Sequence, residues 1–287
     1  MNIHDYTVLL RSLDRKALKL VGTAIGVYYL SVFIYALRWK LVLEEMGRNI
    51  PLSDLVRINL SSIFVNNVTP MSRSGGEVLR ITWLSKKYKV PVILSSISIV
   101  YERFSEIIPI LALTLISISY FTANIILLIL SLSLILVLLW FKWDKLIRLF
   151  IKLFRLNLKE NELIPVLELK KKTRLNLAAV GLSSLVWGLD MVRLKLIALV
   201  FGWHPSLTLV AVISLANLVF GLLAFTPGGV GIVEGGLTGV LLYLGVPLPL
   251  SLSVTLLERF ISYGLSTVVG FMVLATSGGM EIWKALR

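Results

Sequence analysis

A proline and four glycines interrupt an otherwise apolar stretch between Phe225 and Gly235. The flanking segments 211–225 and 237–244 contain no charged residue, whereas the interruption also holds one carboxylate, Glu234. Proline removes a backbone donor and clashes inside a helix, and clustered glycines weaken a helix while permitting unusual backbone conformations. The sequence therefore predicts that a helix breaks here, within an apolar environment.

The composition identifies that environment as a lipid bilayer. Apolar residues make up 57% of the 287 residues, the mean hydropathy is +0.88, and only 16% of the residues are charged. Several uncharged stretches are long enough to cross a membrane. We therefore predict an all-α polytopic membrane protein. At membrane depth, irregular backbone is tolerated only where protein buries it or water reaches it, and transporters place their sites at such breaks.

The break has a second copy in the first half of the chain, and two further segments recur in the same order. The copies share proline, glycine, glutamate and arginine, which chance matches less easily than leucine and valine. We interpret the pattern as an internal duplication, which is frequent in transporter folds. The segments 38–47, 69–77 and 90–104 recur as 193–202, 226–234 and 246–260, at offsets of 155, 157 and 156.

The duplication predicts about seven to eight transmembrane helices in two internal repeats, each with a re-entrant segment broken by glycine and proline. Residues 1–141 would form the first repeat, residues 142–176 a linker, and residues 177–287 the second repeat. If the break segments are re-entrant hairpins, the two repeats run parallel, whereas one fully crossing segment would invert them. The sequence leaves both topologies open.

The linker is the one substantial polar segment, with ten basic and four acidic residues in 142–176. Basic residues recur every three or four positions from Lys142 to Arg155, which predicts an amphipathic helix on the inner headgroup layer. The positive-inside rule places the linker in the cytoplasm, and it explains the net charge of +13 better than nucleic-acid binding does. We expect a cytoplasmic N-terminus as well, in a plasma-membrane protein.

Charged residues within apolar segments are the main functional candidates, because a charge at membrane depth is costly. Glu102-Arg103 and its copy Glu258-Arg259 each lie well inside a predicted span. Adjacent helical residues point about 100° apart, so we expect partners from the other copy: Glu102 with Arg259, and Glu258 with Arg103. These pairs either clamp the two halves together or line a substrate pathway.

Two more charged clusters lie in the spans that carry the first aligned segment. Arg38 and Lys40 are near the end of the first span, and we expect their side chains to extend to the interface. In the matching span, Asp190 and Arg193 are three residues apart on one helical face, which predicts an ion pair.

The two breaks are candidate anion sites. A helix that starts after Thr-Pro-Gly presents free N–H groups and the positive end of its dipole. Glu77 and Glu234 would cap these helices or pair with Arg73, Arg80 or another basic residue. The alternative is that the glycines only let helices pack closely.

Enzymatic signatures are absent from the sequence. The chain has two histidines and no cysteine, and it lacks metalloprotease, nucleophile-elbow and phosphate-loop motifs. We therefore predict a protein that is not an enzyme and that binds neither a metal nor a cofactor.

The motifs resemble the lysylphosphatidylglycerol synthase transmembrane-region family, which includes the flippase half of bacterial multiple peptide resistance factors. The resemblance covers nearly the whole chain but not the aminoacyl-transfer domain of larger members, so it does not imply lipid lysylation. It implies a protein that moves a polar lipid across the membrane, with re-entrant segments and a dimeric assembly. It is carried by Thr226-Pro-Gly-Gly-Val-Gly, Glu234 and Glu258-Arg259, and by Pro70, Gly76-Glu77, Arg80 and Glu102-Arg103.

We expect a flippase-like transporter of a lipid with an anionic headgroup, either a phospholipid or a polyprenyl phosphate, assembled as a homodimer. The alternatives are a non-transporting partner or regulator of a lipid synthase or glycosyltransferase, and an ion-coupled transporter of small anions. In the flippase, the arginines would hold phosphate and the glutamates would balance charge. The candidate substrate-binding residues are Glu77, Arg80, Glu102, Arg103, Thr226, Pro227, Gly228, Gly229, Gly231, Glu234, Glu258 and Arg259.

Overall fold

Helices form the described part of the chain, which confirms the predicted all-α class. The computed structural model describes residues 15–70, 74–120, 123–153 and 160–284, and no β-strand occurs in these ranges. The helices are α1 (Arg15–Glu45), α2 (Leu52–Val68), α3 (Ser74–Tyr88), α4 (Val92–Ser105), α5 (Ile107–Ile116), α6 (Ala123–Phe141), α7 (Trp143–Leu153), α8 (Glu160–Glu168), α9 (Thr173–Val200), α10 (Leu207–Leu223), α11 (Ile232–Tyr243), α12 (Leu248–Thr276) and α13 (Gly279–Lys284).

Three of the described helices, α1, α9 and α12, are long and apolar enough to cross a membrane, with 31, 28 and 29 residues. The apolar helix α10 is shorter, with 17 residues. Only Glu106 separates α4 from α5, so these two helices together approach the length of a span. The apolar helices confirm a multi-pass membrane protein, and the number of spans stays a prediction.

Glycines in the left-handed backbone region end three of the helices. Gly47 (φ 75°), Gly202 (φ 70°) and Gly245 (φ 82°) follow α1, α9 and α11. The next N–H then bonds back into the last turn, as from Arg48 to the carbonyl of Leu43 at 2.8 Å. This bond satisfies a carbonyl that the helix end would otherwise leave free.

The long helices α1 and α9 pack along each other in opposite directions. Lys172, the N-cap residue of α9, pairs with Glu45 in the last turn of α1. Further along the contact, the guanidinium of Arg193 lies 5.8 Å from the ring centroid of Tyr28. Because α1 and α9 carry the first aligned segment of each half, these two copies run antiparallel.

A hairpin of α2 and α3 encloses the first break. Asp54, in the first turn of α2, pairs with Lys87, in the last turn of α3, at 2.8 Å. The two arms therefore start and finish at the same edge of the molecule. We expected parallel copies if the break segments are re-entrant hairpins. That count of spans took α2 as a membrane crossing separate from the hairpin. That inference is wrong, because α2 is one arm of the hairpin.

The linker lies at the C-terminal end of α1, where Lys172 contacts Glu45. A helix of 31 residues is about 45 Å long, so Arg15 lies at the opposite end of α1 from the linker. A helix that crosses the membrane puts its two ends on different sides. Where α1 crosses the membrane, Arg15 and residues 142–176 therefore lie on different sides. Which of them is cytoplasmic stays a prediction, and residues 1–14 lie outside the described ranges.

The amphipathic linker helix α7 turns part of its apolar face toward the protein. Trp143 and Ile147 are buried, and the indole N–H of Trp143 donates to the carbonyl of Val166 at 3.0 Å. Leu149 is exposed. These two buried side chains join the protein core, and the contact of this helix with the headgroup layer stays a prediction.

Three apolar cores occur among the described residues, and the two larger ones each contain side chains from both halves of the chain. The start of α1 contributes Ala24 to the second core, whereas its later turns contribute Trp39 to the first. Along α12, Val254 belongs to the second core and Leu274 to the first. The two halves of the chain are therefore interlocked.

A π-helical segment, Phe260–Leu265, divides α12. Beyond it, α12 packs closely on α2, and a Cβ atom at Gly270 would lie 2.5 Å from the carbonyl oxygen of Leu60 and 2.9 Å from the Cβ of Phe64. Only glycine permits this approach, as small residues do at membrane helix contacts generally.

Candidate functional site

The predicted second break lies between α10 and α11, where the chain forms a short 3₁₀ turn at Pro227–Gly229. Gly228, Gly229 and Gly231 have φ values of 59°, 73° and 84°, which residues with side chains rarely adopt. A Cβ atom at Gly228 would also lie 2.1 Å from the ring of Tyr263. The glycines are thus required by the path of the backbone.

Glu234, in the first turn of α11, closes this break. Its carboxylate accepts the N–H of Gly231 at 2.6 Å and the Nε–H of Arg259 at 2.7 Å. Arg259 also donates through Nη2 to the carbonyl of Gly228 at 2.6 Å. The hydroxyl of Thr226 donates to a carbonyl of the same loop at 2.8 Å. The chain's own carboxylate therefore caps the helix N-terminus that the sequence predicted as an anion site.

At the first break, a different type of side chain accepts the backbone N–H. Asn66 accepts the N–H of Gly76 at 2.7 Å through its side-chain oxygen. Glu77, in the first turn of α3, accepts from Arg103 at 2.8 Å. Arg73, one predicted partner of this glutamate, lies outside the described residues, and the other, Arg80, bonds elsewhere.

Glu102 lies on α4 with 1% of its surface exposed, between two arginines. Arg80 donates to it at 2.5 Å, and Arg38 donates through Nε and Nη2 at 3.4 Å each. Arg38 also binds Glu106 at 2.9 Å. The predicted partner of Glu102, Arg259, is wrong, and so is the expectation that Arg38 extends to the interface, because its side chain is fully buried.

Glu258 holds the corresponding place on α12, also with 1% of its surface exposed. It accepts from Arg193 at 3.0 Å and from the side-chain amide of Asn217 at 3.3 Å. Arg193 also pairs with Asp190 at 2.6 Å, as the sequence predicted. The predicted partner of Glu258, Arg103, is wrong, because the glutamate faces the long helix of its own half.

The two Glu-Arg pairs follow one rule. In each pair, the glutamate binds an arginine of the long helix, and the arginine binds the glutamate of the break. Adjacent residues on a helix face different neighbours, so one pair connects two elements to its own helix. The sequence alignment already matched these residues, and that signal could have identified the partners.

The ion pairs surround a central cavity of about 340 Å³, walled mainly by α1, α2, α4, α9, α10 and α12. Seven predicted site residues line it: Glu77, Arg80, Glu102, Arg103, Gly228, Gly229 and Arg259. Two of the other predicted residues, Glu234 and Glu258, lie outside the cavity wall but contact arginines that line it. The predicted residues outside the wall are Thr226, Pro227, Gly231, Glu234 and Glu258.

Sequence reasoning missed most of the uncharged polar lining. An asparagine inside an apolar helix is the signal that could have found four of these residues, because buried amides at membrane depth need partners. Of the residues predicted only to form an ion pair, Asp190 and Arg193 also line the cavity. The uncharged polar lining residues are Tyr28, Ser31, Tyr35, Asn59, Ser62, Asn66, Asn67, Ser214, Asn217 and Ser262.

Chemically, the cavity offers charges of both signs, each held by partners. Within the described ranges, no group of three or more histidine, aspartate or glutamate side chains is placed to hold a metal ion. Among the arginines that line the cavity, Arg103 has the most exposed side chain, with 42% of its surface exposed. An incoming anion would meet guanidinium groups that can exchange one carboxylate partner for another.

Comparison with known sequences identifies the family. Residues 1–270 match the family described as "Lysylphosphatidylglycerol synthase TM region". The chain belongs to this family. The earlier resemblance is thereby confirmed for most of the sequence.

The chain is also similar to UPF0104 membrane proteins of archaea. It is 25% identical to one from Pyrococcus horikoshii over 89% of this chain and 86% of the relative. It is 27% identical to one from Methanocaldococcus jannaschii over 84% of this chain and 80% of the relative. No solved structure matches the chain significantly. Both relatives are described as membrane proteins, in agreement with the match of this chain to a transmembrane-region family.

Proposed function

We propose that this protein is a flippase-like transporter that admits the phosphate-bearing headgroup of a membrane lipid into its central cavity. One observation carries the proposal: a cavity of about 340 Å³ lined by four arginines and four carboxylates, inside a multi-pass membrane protein. Charges at membrane depth are costly and mark pathways for polar substrates. Family membership adds support for a role at membrane lipids.

The phosphate would bind at Arg103 and Arg259, with Arg80 behind them. Arginine matches phosphate through two parallel hydrogen bonds. Arg259 uses Nε and Nη2 for Glu234 and Gly228, and within the described residues its Nη1 forms no hydrogen bond. That atom is available to a ligand without breaking an existing contact.

The glutamates would then balance the arginines while the cavity is empty. Glu77 and Glu234 hold Arg103 and Arg259 next to the breaks. When phosphate displaces a carboxylate, the released glutamate can accept from a cationic group on the same lipid. A headgroup with a phosphate and an amine would therefore satisfy both signs of charge.

The architecture proposed for this function is an inverted repeat. The antiparallel arrangement of α1 and α9 and the two break hairpins support it, and transporters of that design place their sites between the repeats, at broken helices. We propose that the hairpins are re-entrant, that the side bearing the linker is cytoplasmic, and that the protein acts as a homodimer in the plasma membrane.

Lipid translocation by purified protein in vesicles tests the proposal. Labelled phosphatidylglycerol and a labelled polyprenyl phosphate would be compared in the wild type and in Arg259→Ala. We expect the wild type to move one of them and the variant to lose at least about tenfold in rate, because a charge-assisted phosphate contact is worth about 1.5–3 kcal/mol. The control is Arg57→Ala, since Arg57 is exposed at the start of α2, away from the cavity.

A folded wild type that moves neither lipid would contradict the proposal. The alternative, a regulator or partner of a lipid synthase or glycosyltransferase, would then be preferred. Equal losses in Arg259→Ala and Arg57→Ala would also count against the cavity, because they would trace the effect to surface charge.

A further inference from the structure

Glu102 and Glu258 occupy aligned positions but differ in how their oxygens are satisfied. Both oxygens of Glu102 are bound, Oε1 by Arg38 and Oε2 by Arg80. In Glu258, Oε1 accepts from Arg193 and Asn217, whereas the buried Oε2 has no hydrogen-bond partner among the described residues. A buried unpaired carboxylate oxygen is costly, and native structures rarely leave one without a reason.

One substitution between the two halves matches this difference. Arg80, which binds the second oxygen of Glu102, aligns with Leu237 at the offset of 157. Leu237 is 2% exposed and packs in the second apolar core with Val233. The second half therefore has an apolar side chain where the first has a guanidinium.

Among the described residues around the cavity, the numbers of arginines and carboxylates also differ between the two halves. The first half is balanced, with Arg38, Arg80 and Arg103 against Glu77, Glu102 and Glu106. The second half has one carboxylate more than its arginines, with Arg193 and Arg259 against Asp190, Glu234 and Glu258.

The neighbours of Glu258 do not supply the missing positive charge. From α9, Arg193 is shared with Asp190 at 2.6 Å, and Asp190 also accepts from Ser214 at 2.5 Å. From α10 comes the neutral amide of Asn217, and from α1 the phenol of Tyr28. On its own helix and on α11, Arg259 and Glu234 pair with each other.

We propose that Glu258 is a proton-binding site. The proton adds to Oε2 and converts the carboxylate into a neutral carboxylic acid, which removes the surplus negative charge and gives the buried oxygen an O–H to donate. Ser262, one turn further along α12, has a buried hydroxyl that forms no hydrogen bond within the described part of the chain, and it is a candidate acceptor. Arg193, Asn217 and Ser262 all line the cavity, so the proton has a polar route to Glu258.

Lipid binding and proton binding would then reinforce each other, a consequence that rests on the proposed function. A phosphate in the cavity adds negative charge near Glu258 and therefore favours its protonated form. By linkage, protonation favours phosphate to the same extent. An anionic lipid would cross together with a proton, which lowers the charge that is moved through the membrane.

Difference infrared spectroscopy of the purified protein, without added lipid, tests the site itself. We expect a carboxylic-acid carbonyl band at neutral pH that disappears on titration to high pH. Glu258→Gln should remove this band. The matched control, Glu102→Gln, should retain it, because both oxygens of Glu102 already accept hydrogen bonds from arginines. A band that survives in Glu258→Gln, or no band in the wild type, overturns the inference.

Two further measurements keep the test independent of folding defects and of sodium. Leu237→Lys restores a cation at the position of Arg80 and should remove the band while Glu258 is still present. Sodium ions should leave both the band and the melting temperature unchanged. A sodium-dependent loss of the band that requires Glu258 would show a metal-cation site instead and would overturn the proton assignment.

The lipid assay separates failure of this site from failure of transport. In vesicles, an inward proton gradient should accelerate lipid movement by the wild type, whereas the gradient should not change whatever rate of lipid movement Glu258→Gln retains. A Glu258-dependent band without lipid movement would support the proton site and contradict the flippase proposal. Lipid movement without such a band would do the reverse.

Discussion

At the scale of single residues, Arg38 shows how the buried charges are held. It donates to Glu102 on α4, to Glu106 between α4 and α5, and to Ser183 on α9, and only 2% of its surface is exposed. Breaking such a network strands buried charge, whereas an exposed ion pair contributes little. The same helix carries both kinds of pair, since Lys40 bonds Glu44 near the surface.

We predict that Arg38→Met lowers the free energy of unfolding by about 3 kcal/mol, because it leaves the carboxylates of Glu102 and Glu106 short of a cation. Lys40→Met, two residues away, should change it by less than about 0.5 kcal/mol. Denaturant unfolding of both variants in detergent micelles measures the difference. Equal small effects would show that Arg38 has access to solvent.

Sequence reasoning chose the right types of residue at this scale and misassigned their partners. Glu102, Arg103, Glu258 and Arg259 are all in or beside the cavity wall, as the cost of burying charge predicts. Partners depend on which helix lies opposite each side chain, and a single sequence does not contain that neighbour relation directly. The Asp190–Arg193 pair was predictable because both residues lie on one helix.

At the scale of secondary-structure elements, one turn departs from its aligned copy. Gly245 ends α11 with φ 82°, and the aligned residue after α3 is Lys89, with φ 56°. The N–H of Val90 donates to the carbonyl of Leu84 at 3.3 Å, one residue further back than the bond from Val246 to Leu241 after α11. A lysine pays a steric cost in this region that glycine avoids.

Lys89→Gly should therefore stabilise the protein by about 0.5–1 kcal/mol, after allowing for the greater freedom of glycine in the unfolded chain. Lys86→Gly is the matched control. It lies within α3, where glycine should destabilise by about 0.5–1 kcal/mol. Thermal unfolding midpoints of the two variants should move in opposite directions, and a common direction would contradict the assigned conformation of Lys89.

Most helices and both breaks were predictable at this scale, because apolar length, proline and glycine act locally. The uncharged segments 211–225 and 237–244 lie largely within α10 and α11, on either side of the second break. The π-helical segment in α12 and the inward face of α7 were not predictable. Both depend on packing against distant helices, which leaves no local pattern in the sequence.

At the scale of the whole molecule, the antiparallel packing of α1 and α9 decides the topology. It joins the end of α1 to the linker and sends the start of α1 to the opposite face. The sequence predicted a duplication but not the relative orientation of the copies, because antiparallel and parallel copies have the same apolar pattern. The basic residues of the linker predict a cytoplasmic side for it, which stays a prediction.

Single cysteines test this topology cleanly, since the chain has no cysteine of its own. We predict that Arg148→Cys in α7 and Lys86→Cys at the end of α3 react with an impermeant maleimide only from the cytoplasmic side. Arg15→Cys should react only from the outside. All three positions are exposed. Labelling of Arg15→Cys and Arg148→Cys from the same side would contradict the inverted arrangement.

The π-helical segment Phe260–Leu265 lies between the two parts of α12 that pack into different apolar cores. On one side the helix is fixed in the second core by Val254, and on the other it is fixed in the first core by Leu274. Wide turns are a frequent irregularity at functional sites. If one core moves relative to the other, this short segment is where α12 would twist. Glu258 and Arg259 lie on the last regular turn before it.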